Sequence, residues 1–206
     1  SSVAMKACNF ASLDPAQLDR GIKGLTNASK TERELWETFF TDSAALVDEI
    51  DQARSRYTGS PVGDSEAVSP SGPSDTLAEV RVRRHQKFLR SAVLSTYNHK
   101  CALTALAVPE LLIASHIVPW SQSETRRCDP TNGLCLNALH DRAFDRGLIT
   151  FDEQLRLIAA PALFDGLELG LLRETLRLVG RRLNVPDRFR PDADALRFHR
   201  ERIFKR

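Results

Sequence analysis

No stretch of the 206-residue chain reaches the roughly 18 consecutive apolar residues needed to span a bilayer. The opening residues, Ser1-Ser2-Val3-Ala4-Met5-Lys6, lack the apolar centre of a secretory signal. Methionine is not the first residue, which suggests a processed or truncated start. Cysteine is scarce: Cys8, Cys101, Cys128 and Cys135 are scattered without framework spacing. That argues against a disulfide-stapled secreted scaffold and fits a reducing, cytoplasmic setting. No internal repeat is visible.

A large net charge is lacking as well, but the value of +2 hides an asymmetry. Residues 1–80 carry 7 Lys/Arg against 13 Asp/Glu, whereas residues 81–206 carry 22 against 14. A basic body behind an acidic front points to a polyanionic partner for the second part. With 42% apolar residues the chain can bury one good core and a small accessory piece.

From Gly59 to Ser74, 11 of 16 residues are Gly, Ser or Pro without apolar periodicity, which reads as a linker or long exposed loop. The expected division is a helical front piece at 1–56, a flexible linker at 57–80 and a main domain at 81–206. In the front piece Ser29 and Glu32 make a capping box, followed by Leu35, Trp36, Phe39 and Phe40 at helical spacing. A second helix is expected from Ser43 to about Arg56, with Leu46, Val47 and Ile50 on its apolar face.

After the linker, Arg81, Arg83, Arg84, Lys87 and Arg90 alternate with Phe88, Ala92, Val93 and Tyr97, the pattern of an amphipathic helix with a basic face. Such a face is either merely solvated or tracks phosphates. Leu111 to Val118 forms a β-prone run with Ser115 and His116 near its end. A polar loop follows, then Asn132-Gly133 opening a strand, then a helix from about Asn137 to Arg146 with Gly147 as its stop. This is a ββα unit. A hairpin around Asp152-Glu153-Gln154 comes next, and the tail reads as helical and basic, with 11 Lys/Arg against 5 Asp/Glu from Arg173 onward.

The segments Ile113-Ala114-Ser115-His116-Ile117-Val118-Pro119-Trp120, Arg127-Cys128-Asp129-Pro130-Thr131-Asn132-Gly133-Leu134-Cys135-Leu136 and His140-Asp141-Arg142-Ala143-Phe144-Asp145-Arg146-Gly147-Leu148-Ile149 together resemble the HNH (ββα-metal) endonuclease family. The branch is the one found in bacterial restriction-like proteins. The likeness extends upstream to Gln86–Tyr97 and downstream to His199–Phe204, and so covers about 81–206. The front of the chain, Asn9–Pro15 with Gly21–Leu25, resembles the leader of such proteins, in which Ser1 to Lys6 would end a helix-turn-helix-like segment.

The resemblance implies an α+β fold: a ββα-metal core flanked by helices, with a small helical N-terminal piece. It implies hydrolysis of DNA phosphodiester bonds with a divalent cation, Mg²⁺ or Mn²⁺, in restriction or defence. His116 would be the general base, a task suited to an imidazole because its ordinary pKa lies near neutrality. Asn132 would orient the site or ligate metal, and His140 would be a metal ligand. Arg127 would clamp phosphate, whose oxygens suit a planar guanidinium. Arg81, Arg83, Arg84 and Lys87 would hold the DNA backbone. Family members often carry a metal-binding Asp or His before the base. Here that residue is Ser115, a poor ligand. Either Asp145 supplies a ligand, or a more hydrated ion is held mainly by Asn132 and His140.

Other readings stay open. The scaffold could serve as a non-catalytic DNA-binding or regulatory module, or the substrate could be RNA. Asn132-Gly133 could be a turn signal alone, and Asp145 could cap or pair at the helix end. His85 and His99 are expected at the surface or on phosphate, and His199 packed or paired in the tail. Each of the places where relatives hold a zinc knuckle retains one cysteine, Cys101 and Cys135, so no structural zinc is expected. Cutting both strands of a duplex usually takes two sites, which suggests a homodimer; no membrane partner is expected.

Overall fold

A computed structural model describes residues 9–25, 27–58, 77–165 and 175–206. The chain divides into two compact units, Ser1–Ala78 and Glu79–Arg206. The Gly/Ser/Pro-rich stretch assigned to the linker falls at 59–76, outside the described residues, as does the segment Ser1 to Lys6. Residues 57–58 close one helix and 77–80 open another.

In the first unit a 3₁₀ turn (Phe10–Ser12) and helix α1 (Pro15–Asp19) precede α2 (Lys30–Thr41) and α3 (Ser43–Thr58). The capping box forms as the sequence dictates. Ser29 Oγ accepts from Glu32 N, and the Glu32 carboxylate accepts from Ser29 N at 2.7 Å. Phe10 stacks on Trp36 with ring centroids 5.6 Å apart. Leu46 and Val47 are buried, but Ile50, placed on the same apolar face, is 42% exposed, as is Leu35 of α2 at 45%. Helical spacing identifies a stripe, but not which edge of it a small unit can cover.

In the second unit α4 (Leu77–Thr96) leads into the turn 97–106. Strands β1 (Leu112–His116) and β2 (Gly133–Asn137) pair antiparallel, with His116 opposite Gly133 and Ser115 opposite Leu134. Helix α5 (Ala138–Asp145) packs across both. Strands β3 (Ile149–Phe151) and β4 (Leu157–Ala159) form a hairpin, followed by α6 (Ala162–Asp165) and the C-terminal α7 (Ala193–Arg202), which lies against β3. Mixed helices and small antiparallel sheets make this an α+β fold. Part of the expected helical tail is instead irregular, since residues 181–192 run without a helix.

The core joins Leu89 and Val93 of α4, Leu112 of β1, Leu134 and Leu136 of β2, Phe144 of α5, Ile149 and Phe151 of β3, and Leu196 of α7. Each fully buried Leu or Phe contributes about 1.5–3 kcal/mol. Two glycines allow this packing. A Cβ on Gly133 would run into the Val93 side chain, so only glycine lets α4 lie so close to β2. Gly147 (φ +69°) ends α5 in the left-handed region, and a Cβ there would strike the Ile203 carbonyl.

His199 is a fully buried polar residue of the core. Its ring lies flat on Phe144, 3.7 Å between centroids and 3° from parallel. Nε2 donates to Phe144 O at 3.0 Å, which leaves Nδ1 to accept from Thr150 Oγ1 at 2.9 Å. It is a packed residue, as one of the two readings held. Burial first, with Arg200 adding to it, pushes its pKa down to about 4 from an ordinary 6.5. The unfolded chain therefore binds a proton that the folded chain refuses, and stability drops as pH falls from about 6.5 to about 4. At about 1.4 kcal/mol per unit the loss is about 3 kcal/mol. Urea unfolding at pH 7 and pH 4 should show this loss in the parent and a flatter dependence in His199→Gln; equal slopes would remove His199 as the cause.

Candidate active site

His116 ends β1 and is half-buried. Its Nε2 lies 3.1 Å from Arg127 O, and its ring meets the Trp120 ring edge-on at 5.6 Å. A carbonyl oxygen can only accept, so Nε2 carries the proton and Nδ1 holds the lone pair. Burial lowers the pKa of His116, opposed by the Arg127 carbonyl and the nearby charge of Asp141. The imidazole is therefore neutral, and thus basic, at neutral pH.

Asn132 is 1% exposed and its amide is spent on the backbone of its own loop. Oδ1 accepts from Val118 N at 2.8 Å, and Nδ2 donates to Val118 O at 3.1 Å and to Arg126 O at 3.2 Å. Both donor hydrogens and one oxygen lone pair are engaged in a buried position, which leaves the second lone pair of Oδ1 uncommitted. Its bonds hold the chain leaving β1 against the end of the 119–132 loop.

His140, on the first turn of α5, is 4% exposed. Its Nε2 shares a hydrogen with Thr175 Oγ1 at 3.2 Å, and the Cys101 thiol lies beside its ring. Burial alone would raise that thiol, but hydrogen bonds from His140 and Thr104 outweigh it and bring Cys101 down to about 7. Facing Thr175 and Cys101, His140 is turned into the domain interior. The carboxylate whose charge reaches His116 is instead its neighbour Asp141. Asp141 is raised above the ordinary carboxylate range by burial first, with Asp145 adding to the rise; the nearby Ser115 hydroxyl and the charges of Arg142 and His116 pull the other way. Asp145 is raised by burial against Arg142 and Arg146. Asp141 and Asp145 stand one turn apart on α5 and so share a face. Asp141 was quoted in the sequence motif without a role; the signal that could have found it is its i, i+4 spacing to Asp145.

Two carboxylates on one helical face beside an imidazole are a hard donor set that suits Mg²⁺ or Mn²⁺. Among the described residues no three His, Cys, Asp or Glu side chains converge into a closed ligand set. The residues thus fit an ion that keeps most of its waters and takes one or two protein carboxylates. They do not fit a fully protein-enclosed ion.

Arg127 is half-buried with its guanidinium 5.1 Å from the Trp120 ring centre, Nε donating to Trp120 O at 3.2 Å and one nitrogen 3.5 Å from Glu124. Its carbonyl is the one bonded to His116, and both side chains meet Trp120. The side chains of Arg81, Arg83 and Arg84 lie outside the described residues; Lys87 is exposed on α4. Arg90, counted with that basic face, instead reaches the lead-in to β1, donating to Leu112 O at 2.7 Å and Pro109 O at 3.2 Å. His85 is not at the surface: it is 7% exposed, with its ring 6.5 Å from that of Trp120. His99 is exposed just past α4.

The HNH endonuclease family model matches residues 101–152, the stretch that runs from the turn after α4 through β1, β2 and α5 to the end of β3. No curated protein matches the chain. Among solved structures the chain is similar to a modification-dependent TagI restriction endonuclease, at 20% identity and a TM-score of 0.41. That match covers 56% of this chain and 37% of the other, so the chain spans well under half of that protein. The matched stretch contains His116, Asn132, His140, Asp141 and Asp145, with Arg127 on the loop between its first two strands. No helix among the described residues is long and apolar enough to cross a membrane.

Proposed function

We propose that the chain is a divalent-metal-dependent endonuclease that hydrolyses DNA phosphodiester bonds, with His116 as general base. The observation that carries the reading is the bond from His116 Nε2 to Arg127 O, which fixes the tautomer and leaves Nδ1 free to take a proton from water. Trp120 buttresses the ring edge-on, and Asp141 lies near enough to stabilise the imidazolium that forms. Arg127 would bind a non-bridging phosphate oxygen. Asp141 and Asp145 would hold the cation. Bound there, a divalent ion offsets charge building on phosphorus and on the departing oxygen.

DNA as substrate rests on the basic balance of residues 81–206, and restriction or defence on the branch that the motif resembles. Cleavage of both strands of a duplex would bring two such domains together as a homodimer. Supercoiled plasmid should be nicked with Mg²⁺ or Mn²⁺ and left intact with EDTA, and matched RNA should be cut more slowly than DNA. Cleavage that persists in EDTA, or binding without turnover under every divalent ion, would overturn the reading.

A further inference from the structure

The loop that carries Arg127 is moored to the C-terminal helix by one carboxylate. Asp192 caps α7 by accepting from Ala195 N at 2.7 Å, and the same oxygen, Oδ1, receives Arg126 Nη1 at 2.9 Å. Its backbone N–H donates to Thr131 O at 2.9 Å, so the cap is joined to the loop at two points. Arg126 and Asp192 are 66 residues apart. On the loop side, two consecutive carbonyls face the site. Arg126 O accepts from Asn132 Nδ2, and Arg127 O accepts from His116 Nε2. Displacing Arg126 would shift both.

The two side chains are each about one-third exposed, at 33% and 34%, and an ion pair so placed adds little to global stability. A short charge-assisted bond does fix direction, however. Burial would raise the Asp192 carboxyl, but Arg126 and the Ala195 amide outweigh it and hold it below the ordinary range, so it stays ionised at neutral pH.

We propose that Arg126 and Asp192 are positioning residues for His116, the ion pair between them setting the Arg127 carbonyl that fixes the imidazole tautomer. This rests on the reading of His116 as the base. Asp192→Ser keeps an N-cap while removing the carboxylate, and Arg126→Ala leaves the cap untouched. Each should lower kcat by about 10- to 100-fold with KM little changed, because a small misplacement of the base is costly. The double variant should be no worse than the poorer single one, since the two act as a unit. ¹⁵N spectra of the His116 ring give a readout apart from activity: the parent should hold the Nε2–H tautomer and both variants should show a mixture. An unchanged tautomer in both variants, a loss confined to KM, or losses that multiply in the double variant would overturn the proposal. A parent that cleaves no nucleic acid would sink the nuclease reading, while the tautomer measurement would still decide the positioning role.

Discussion

His116→Ala should lower the single-turnover rate of DNA cleavage by about 10²- to 10⁴-fold, the usual contribution of a positioned general base. The residual rate should be that of a site still able to bind phosphate. KM for DNA should stay near the parent value, because the groups assigned to backbone binding, Arg127 first among them, remain. The ring is half-buried at the end of β1, outside the buried hydrophobic cluster, so the variant should fold, with far-UV circular dichroism unchanged. Added imidazole should restore part of the rate, since it can occupy the space left by the ring and act as the base. A variant within about tenfold of the parent would show that water is activated by another group, and Asp141 would be the first to test.

The local structure around this residue could be read from the sequence because short-range rules fix it. Apolar, β-prone residues from 111 to 118 end at Pro119, Asn137 caps α5 through His140 N at 2.9 Å, and Gly147 ends it at positive φ. Each depends on neighbours a few residues away. What was not legible depends on how elements are rotated against one another. His140 and Asp141 are adjacent on α5 and therefore about 100° apart around its axis. Periodicity alone does not say which of the two meets the strand carrying His116. The structure answers by burying His140 against Thr175, 35 residues away, and leaving Asp141 beside Ser115.

Arg90 and His85 went astray for a related reason. Both lie on α4 among basic residues, and the charge pattern resembled a solvated or phosphate-tracking face. In the folded unit the Arg90 guanidinium satisfies two carbonyls leading into β1, and His85 is covered. A cationic side chain serves a backbone carbonyl and a phosphate oxygen through the same donors, so composition does not separate the two uses. Ser115 illustrates the reverse. It looked like a ligand lost from the expected metal position, and in the fold it is a buried hydroxyl near Asp141, outside direct hydrogen-bonding geometry.

The second large effect concerns Asp141, whose charge reaches His116. Asp141→Asn should reduce cleavage by about 10²-fold or more, the scale at which loss of one electrostatic group in a closed site is felt. The concentration of Mg²⁺ needed for half-maximal rate should rise with it. The substitution is nearly isosteric and the residue is only half-buried, so thermal stability should hold within a few degrees. Asp145→Asn should have a smaller effect in the same direction, because Asp145 is more exposed and its charge is already met by Arg142 and Arg146. His140→Asn, by contrast, should act through the fold: it breaks the contact with Thr175 in a 4%-exposed position and should lower the midpoint of unfolding. Metal dependence in that variant should be unchanged at temperatures where it remains folded. If His140→Asn instead raised the metal requirement without loss of stability, and Asp141→Asn left it alone, the ion would belong on the His140 side of α5, and the carboxylate assignment made from the strand-facing side of this helix would be wrong.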